Sequence, residues 1–203
     1  MLALAGGFGC ASEEDERKNR PSHARSAETS GGERGEENSR CDADAPNREV
    51  SEYDTSGDEY PDVRKVFLTI GTGRLARLVL VCREADLNGD GTKDVVRFYN
   101  DEGRPMREEA DRDFDGGMDE ITFFEHGRIV RQELDMNHDG RIDQKIFFEG
   151  GRPVRAERDI AGRSDANNWH PDRWEYYEEG RMVRMGTDLD GDGRVDRGPG
   201  ATR

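Results

Sequence analysis

The chain has 203 residues, of which 32% are hydrophobic and 38% charged, and its formal net charge is -15. So little apolar material excludes a thick core, and the fold is expected to be thin or to be helped by something besides burial. The acidic balance excludes nucleic acid as a partner, since phosphates need a basic surface, and favours cations or basic partners. The four histidines, His23, His126, His138 and His170, stand far apart without metal-ligand spacing. No Ser-His-Asp or Cys-His arrangement occurs either, so an enzyme is not expected.

Residues 1–10 are a short run of apolar or small residues ending in Gly7-Phe8-Gly9-Cys10, after which the sequence turns to Ser12-Glu13-Glu14-Asp15-Glu16. This resembles the end of a bacterial lipoprotein signal, with Gly7 where that family has Leu and no basic residue before the apolar run. The resemblance implies that Cys10 is lipidated, becomes the mature N-terminus and anchors the exported chain to a membrane of the cell envelope. The apolar run is too short to span a bilayer. With Cys10 so used, Cys41 and Cys82 remain as a pair, which an exported compartment would let form a disulfide; two buried thiols are the alternative. Residues 11–49 are rich in Glu, Arg, Ser, Gly and Asn and carry almost no large apolar side chain. They cannot bury enough surface to offset chain entropy and are expected to form a disordered tether, with a mean span of about 30–40 Å if flexible.

A repeat domain is expected over 50–203. Acidic loops begin at Asp86, Asp111, Asp135 and Asp188, with weaker copies at Asp54 and Asp159, and steps of 24 or 25 residues separate the middle copies. After each loop comes an apolar or aromatic pair: Val66-Phe67, Phe98-Tyr99, Phe123-Phe124, Phe147-Phe148 and Tyr176-Tyr177. Then comes a Gly-Arg turn, as at Gly103-Arg104, Gly127-Arg128 and Gly151-Arg152, with a second Arg three residues further on. Segments such as Val95–Tyr99, Ile121–Phe124 and Trp174–Tyr177 are rich in β-formers and too short for helices. The fold class predicted is all-β, with repeated hairpins forming an antiparallel meander sheet joined by acidic calcium loops. The aromatic pairs are expected to supply its core, and the regular arginines a solvated ladder pairing with cross-strand Glu.

Calcium takes six to eight oxygen ligands, which a chain supplies by folding tightly around the ion. In a nine-residue loop the side chains at positions 1, 3 and 5 converge, Gly at 6 allows the bend, and an acid at 9 closes the shell. Four copies carry the complete set: Asp86, Asn88, Asp90 and Asp94; Asp111, Asp113, Asp115 and Asp119; Asp135, Asn137, Asp139 and Asp143; Asp188, Asp190, Asp192 and Asp196. The Asp54 copy has Glu59 where the others have Gly. The Asp159 copy has Ala161 and Arg163 at ligand positions and an insertion running to Asp172, so it is expected to bind no metal, Arg163 standing in for the ion. Position 12, where an EF-hand carries Glu, holds Arg97, Thr122, Ile146 and Pro199, which excludes that motif.

The ligand pattern resembles the calcium loops of thrombospondin type 3 repeats and of integrin-type propeller repeats. Over residues 41 to 197 the run Cys82-Arg83-Glu84-Ala85-Asp86, the aromatic pairs and the ending Asp188 to Asp196 resemble lipoproteins of myxobacteria, a family that brings no known activity with it. The function expected is that of a calcium-binding structural or cell-envelope lipoprotein. The alternative is an adhesion or assembly module presenting its sheet to an envelope protein or a polysaccharide.

Overall fold

The structure, a computed structural model, describes residues 39–165 and 167–196. The lipidation expected at Cys10 and residues 11–38 of the tether expected over 11–49 lie outside the described residues. Eleven strands form one sheet: β1 (Arg48–Tyr53), β2 (Val63–Ile70), β3 (Arg77–Ala85), β4 (Val95–Tyr99), β5 (Pro105–Ala110), β6 (Glu120–Glu125), β7 (Arg128–Leu134), β8 (Gln144–Glu149), β9 (Arg152–Arg158), β10 (Arg173–Glu178) and β11 (Arg181–Thr187). Each pairs antiparallel with its neighbours in chain order, so the sheet is a simple meander from β1 to β11. Because every second connection is an acidic loop, all of these loops stand along one edge of the sheet and all of the tight turns along the other. No helix among the described residues is long and apolar enough to cross a membrane.

The tight turns follow from residue type. His126-Gly127, Gly150-Gly151 and Glu179-Gly180 each take positive φ at both positions, which makes the mirror-image turn whose twist matches the strands it joins. Every hairpin also carries a bulge at its aromatic pair. Phe98 faces Arg107 but Tyr99 faces Pro105, leaving Met106 without a partner. The same step recurs at Phe123/Phe124, Phe147/Phe148, Tyr176/Tyr177 and, in the first hairpin, Val66/Phe67. A bulge bends the strand and raises its local twist.

The aromatic pairs do not make the buried core expected of them. The described residues form one layer of sheet, with no second layer among them to cover the rings, and Phe98, Phe123, Phe147 and Tyr176 stay only half-buried. They lie on one face in a row that alternates with arginines: Phe98, Arg107, Phe123, Arg131, Phe147, Arg155, Tyr176 and Arg184 are successive cross-strand neighbours. Guanidinium groups cover the rings, at 4.1 Å for Arg131 over Phe123, 4.2 Å for Arg155 over Phe147 and 4.1 Å for Arg184 over Tyr176. Such contacts are worth about 0.5–1 kcal/mol at exposed sites and more where water is displaced. The arginines also pair differently from the cross-strand ladder expected. Arg107, Arg131 and Arg155 meet the glutamate two residues on in their own strand, Glu109, Glu133 and Glu157, at 2.8, 3.2 and 3.2 Å.

The fully buried apolar cluster is small and sits at one end of the sheet: Cys41, Val66, Cys82 and Val96, with Phe98 and Met118 against it. Cys41 and Cys82 are joined by a disulfide, their Cα atoms 5.7 Å apart. The expected boundary of the tether at residue 49 is therefore corrected: residues 39–49 belong to the fold, and β1 begins at Arg48. What holds them is Glu84, fully buried in β3. Its carboxylate accepts hydrogen bonds from the Ser39 hydroxyl (2.8 Å) and from the backbone N–H groups of Arg40 (2.5 Å) and Cys41 (3.1 Å), and Arg40 reaches on to pair with Glu109. Composition gives no sign of this clamp, because its partners are more than forty residues apart. Glu84→Ala leaves buried donors without acceptors and is expected to cost about 3 kcal/mol or more in urea unfolding, at about 1–3 kcal/mol per orphaned group. A loss below about 1 kcal/mol would show that the segment is held by the disulfide alone.

Candidate metal centre

The five nine-residue acidic loops share one internal frame. In each nine-residue copy the first aspartate accepts two backbone N–H groups, from positions 4 and 6: Asp86 from Gly89 and Gly91 (2.6 and 2.8 Å), Asp111 from Phe114 and Gly116 (2.7 and 2.8 Å), Asp135 from His138 and Gly140 (2.8 and 2.7 Å). Asp188 does the same with Gly191 and Gly193 (2.6 and 2.9 Å). The aspartate at position 9 reaches back to the N–H of position 2, as Asp119 does to Arg112 and Asp143 to Met136, both at 2.8 Å. Positions 3 and 5 each take the N–H two residues on. The first aspartates accept with both oxygens, whereas Asp94, Asp143 and Asp196 accept the loop's N–H groups through Oδ2 alone.

Neighbouring loops are tied together along the edge of the sheet. The N–H of each loop's first aspartate donates to the carbonyl of the preceding loop's last one: Asp86 to Asp62 (2.7 Å), Asp111 to Asp94, Asp135 to Asp119 and Asp188 to Asp172 (2.8 Å each), and Asp159 to Asp143 (2.9 Å). The sheet ladder therefore continues one row into the loops, and the acidic clusters stand at the spacing of alternate strands.

Asp111, Asp113 and Asp115 converge, with ligand atoms within 4.8 Å of one another, and so do Asp188, Asp190 and Asp196. Asp119 is gathered instead with Asp113 and with His138 of the next loop, and Asp192 is not part of the closest group. The loops from Asp86 and Asp135, with Asn88 and Asn137 at position 3, bring no three acids that close among the described residues. The sequence pattern undervalued the first loop: Asp54, Asp58 and Asp62 also converge. Glu59 takes the bend that Gly takes elsewhere, at φ 76°, a conformation costing a side-chain-bearing residue about 1–2 kcal/mol. Glu59→Gly is accordingly expected to raise the stability of the chain by about 0.5–1 kcal/mol in urea, the strain relieved exceeding the added freedom of the unfolded chain. A destabilised variant would mean that the Glu59 side chain makes an interaction worth more than the strain.

His138 is the residue that spacing could not find. Its Nδ1 lies 2.8 Å from Asp119 Oδ1 and 3.0 Å from Asp113 Oδ2, and the hydrogen bond to Asp119, more than the nearby charges, raises its pKa. It comes from the loop after the one it touches, so only the packing of successive loops brings it there. Arg163 plays a comparable part at the other end. In the loop that lost its ligands, its guanidinium lies 3.7 Å from Asp172 and 3.8 Å from Asp188 of the following loop.

The most telling carboxylate is Asp94, which closes the second loop. It is 1% exposed. One oxygen accepts the N–H of Leu87 at 2.5 Å, while Oδ1 has no hydrogen-bond partner among the described residues. Burial raises its pKa, and the neighbouring Asp86 and Asp90 push in the same direction. An unpaired buried carboxylate oxygen among other carboxylates is costly unless a cation meets it. The oxygen-only donor set of Asp86, Asn88, Asp90 and Asp94 suits a hard divalent ion. Several of the acidic clusters, those of Asp54, Asp111 and Asp188 among them, could bind a metal ion.

Fold and loops together define the class: a single-layer antiparallel meander whose strands are joined along one edge by nine-residue acidic loops. No protein-family model matches the chain, and no curated protein matches it. Among solved structures, similarity is found to accessory secretory protein 1, 2 and 3 of Streptococcus pneumoniae (17% identity over 58% of this chain and 20% of that one, TM-score 0.37). It is also found to S. aureus TarM, as the G117R mutant in complex with Fondaparinux, alpha-GlcNAc-glycerol and UDP (15% identity, 66% of this chain and 20% of that one, TM-score 0.29) and in a second TarM structure (17%, 63% and 19%, TM-score 0.27). The chain spans about one fifth of the length of each.

Proposed function

We propose that this chain is a calcium-binding structural protein of the cell envelope, held at a membrane by a lipid on Cys10, in which calcium in the acidic loops stabilises a one-layer sheet. The observation that carries the reading is the buried, unpartnered Oδ1 of Asp94. Calcium prefers flexible all-oxygen sites and is the ion this donor chemistry suits best, magnesium demanding stricter octahedral geometry. The thin core supplies the motive, since metal bound only by the folded state adds its binding free energy to folding. The resemblance of the repeats to myxobacterial lipoproteins and of the loops to thrombospondin type 3 repeats points the same way.

Calorimetric titration with calcium chloride tests this. Four ions per chain are expected from the four complete ligand sets, with the Asp54 loop as a weaker fifth and none at Asp159. Asp94→Asn is expected to remove one ion and leave the others. No saturable calcium uptake, or an unchanged stoichiometry in Asp94→Asn, would defeat the reading.

A further inference from the structure

The loop pattern breaks once, between β9 and β10, where the connection from Asp159 to Asp172 is longer than the nine residues of the other copies. Hydrogen bonds hold the described residues of this insertion. Ser164 and Arg163 donate their N–H groups to Asp159 (2.6 and 2.9 Å), Asp165 accepts those of Asn167 and Asn168 (2.8 and 2.9 Å), and the Ser164 hydroxyl oxygen accepts the N–H of His170 (2.8 Å). The insertion folds over the arginine-bearing face of the sheet. Trp169 Nε1 donates to Glu157 at 2.8 Å, and the Lys145 ammonium lies 4.7 Å from the indole centroid and 3.3 Å from Glu133.

Between this insertion and the far side of the Asp135 loop lies a cleft of about 610 Å³, lined among others by Glu133, Asp139, Arg141, Lys145, Asn168 and Trp169. Its size falls in the range of small-molecule sites, about 300–1,000 Å³. Its chemistry narrows the ligand. Of the lining side chains only those of Trp169 and Ile142 are apolar, which disfavours a greasy ligand. With Asp139 given to its metal loop, Glu133 and Asp165 balance Arg141 and Lys145, and Lys145 is already paired with Glu133, so no cationic surplus is left for a phosphorylated or sulfated one. What suits one aromatic plane ringed by interleaved donors and acceptors is a molecule with an apolar face and many neutral hydroxyls, each of which donates and accepts. We propose that this cleft binds a neutral saccharide chain, a pyranose ring stacking on Trp169 and hydroxyls pairing with the carboxylate, amide and guanidinium groups of its walls.

The test uses the full chain in saturating calcium chloride. The chain has two tryptophans, so Trp174→Phe leaves Trp169 as sole indole reporter. Cellohexaose, maltohexaose and chitohexaose are titrated against it, beside a heparin-derived hexasaccharide. At least one neutral hexasaccharide is expected to shift the Trp169 emission saturably. By calorimetry on the otherwise unaltered chain, Trp169→Ala is expected to weaken that binding at least about tenfold, as loss of a central aromatic contact does, and to leave calcium stoichiometry unchanged. Silence from all three neutral sugars, a response to the heparin fragment alone, or undiminished affinity in Trp169→Ala overturns the proposal. Should Trp169→Ala fail to fold, Asn168→Ala and Arg141→Ala decide it: weaker binding in either supports it, and unchanged affinity in both overturns it. Calcium uptake measured on the same samples keeps a failure of the saccharide site distinct from a failure of the metal sites.

Discussion

Withdrawing calcium with EDTA is expected to lower the melting temperature of the chain by at least about 10 °C. A ligand that binds only the folded state adds about 2.7 kcal/mol when its free concentration is about a hundred times Kd. For a chain of roughly this size each kcal/mol moves the midpoint by about 2–4 °C, so one saturated site is worth about 5–11 °C and several are worth more. The effect has a structural origin in the way the loops are joined. Each loop's first N–H is bonded to the last carbonyl of the loop before it, so tightening one loop fixes the register of the next hairpin. Asp94→Asn is expected to bring part of the same loss without chelator, and to blunt the response to EDTA. Differential scanning calorimetry with and without chelator measures both, and a shift under about 2 °C, less than a single well-filled site would give, would rule out calcium as a structural element.

Opening the Cys41–Cys82 disulfide is the second large expectation. The bond closes a loop with a sequence separation of 41, and the chain-entropy cost that it removes from the unfolded state is about 4 kcal/mol. The bond also lies inside a fully buried apolar cluster, against Val66 and Val96. Losing it frees the segment whose Ser39, Arg40 and Cys41 satisfy the buried Glu84. Cys41→Ser, or reduction of the native chain, is therefore expected to lower the midpoint by about 8–16 °C. Hydrogen exchange should locate the loosening in β1 to β4, leaving β8 to β11 as protected as before. Uniform loss of protection would mean that the bond supports the whole sheet rather than its first hairpins, and a midpoint that moves by less than about 2 °C would mean that the first hairpins do not depend on it.

Much of this molecule is legible without coordinates, and for local reasons. Strands such as β4, Val95–Tyr99, announce themselves by residue type, and the Gly-containing turns by the positive φ that only such residues take readily. The acidic loops are legible because their frame is local: Asp86 bonds Gly89 and Gly91 within five residues of itself, and the 1, 3, 5, 6, 9 spacing is the imprint of that bonding. In-order pairing follows too, since connections this short leave a strand little choice but its neighbour.

Other features depend on residues far apart in the chain, and the sequence is silent about them. Aromatic pairs read as core because aromatics usually are; that they instead form one stripe alternating with Arg107, Arg131, Arg155 and Arg184 depends on the sheet being a single layer. Nothing local marks Glu84 as buried; the segment at Ser39 that bonds to it lies more than forty residues away. His138 has no ligand spacing in sequence, and meets Asp113 and Asp119 only because successive loops stack along one edge. The Asp159 insertion reads as a failed metal loop, and only tertiary structure turns it into the wall of a cleft around Trp169. By itself the sequence determined an antiparallel meander with acidic loops on one side, since strand type, turn and loop frame are written within a few residues. Which face is covered, which carboxylate is left buried and unpaired, and where a ligand could enter were decided by tertiary structure, because each depends on how separate hairpins lie against one another.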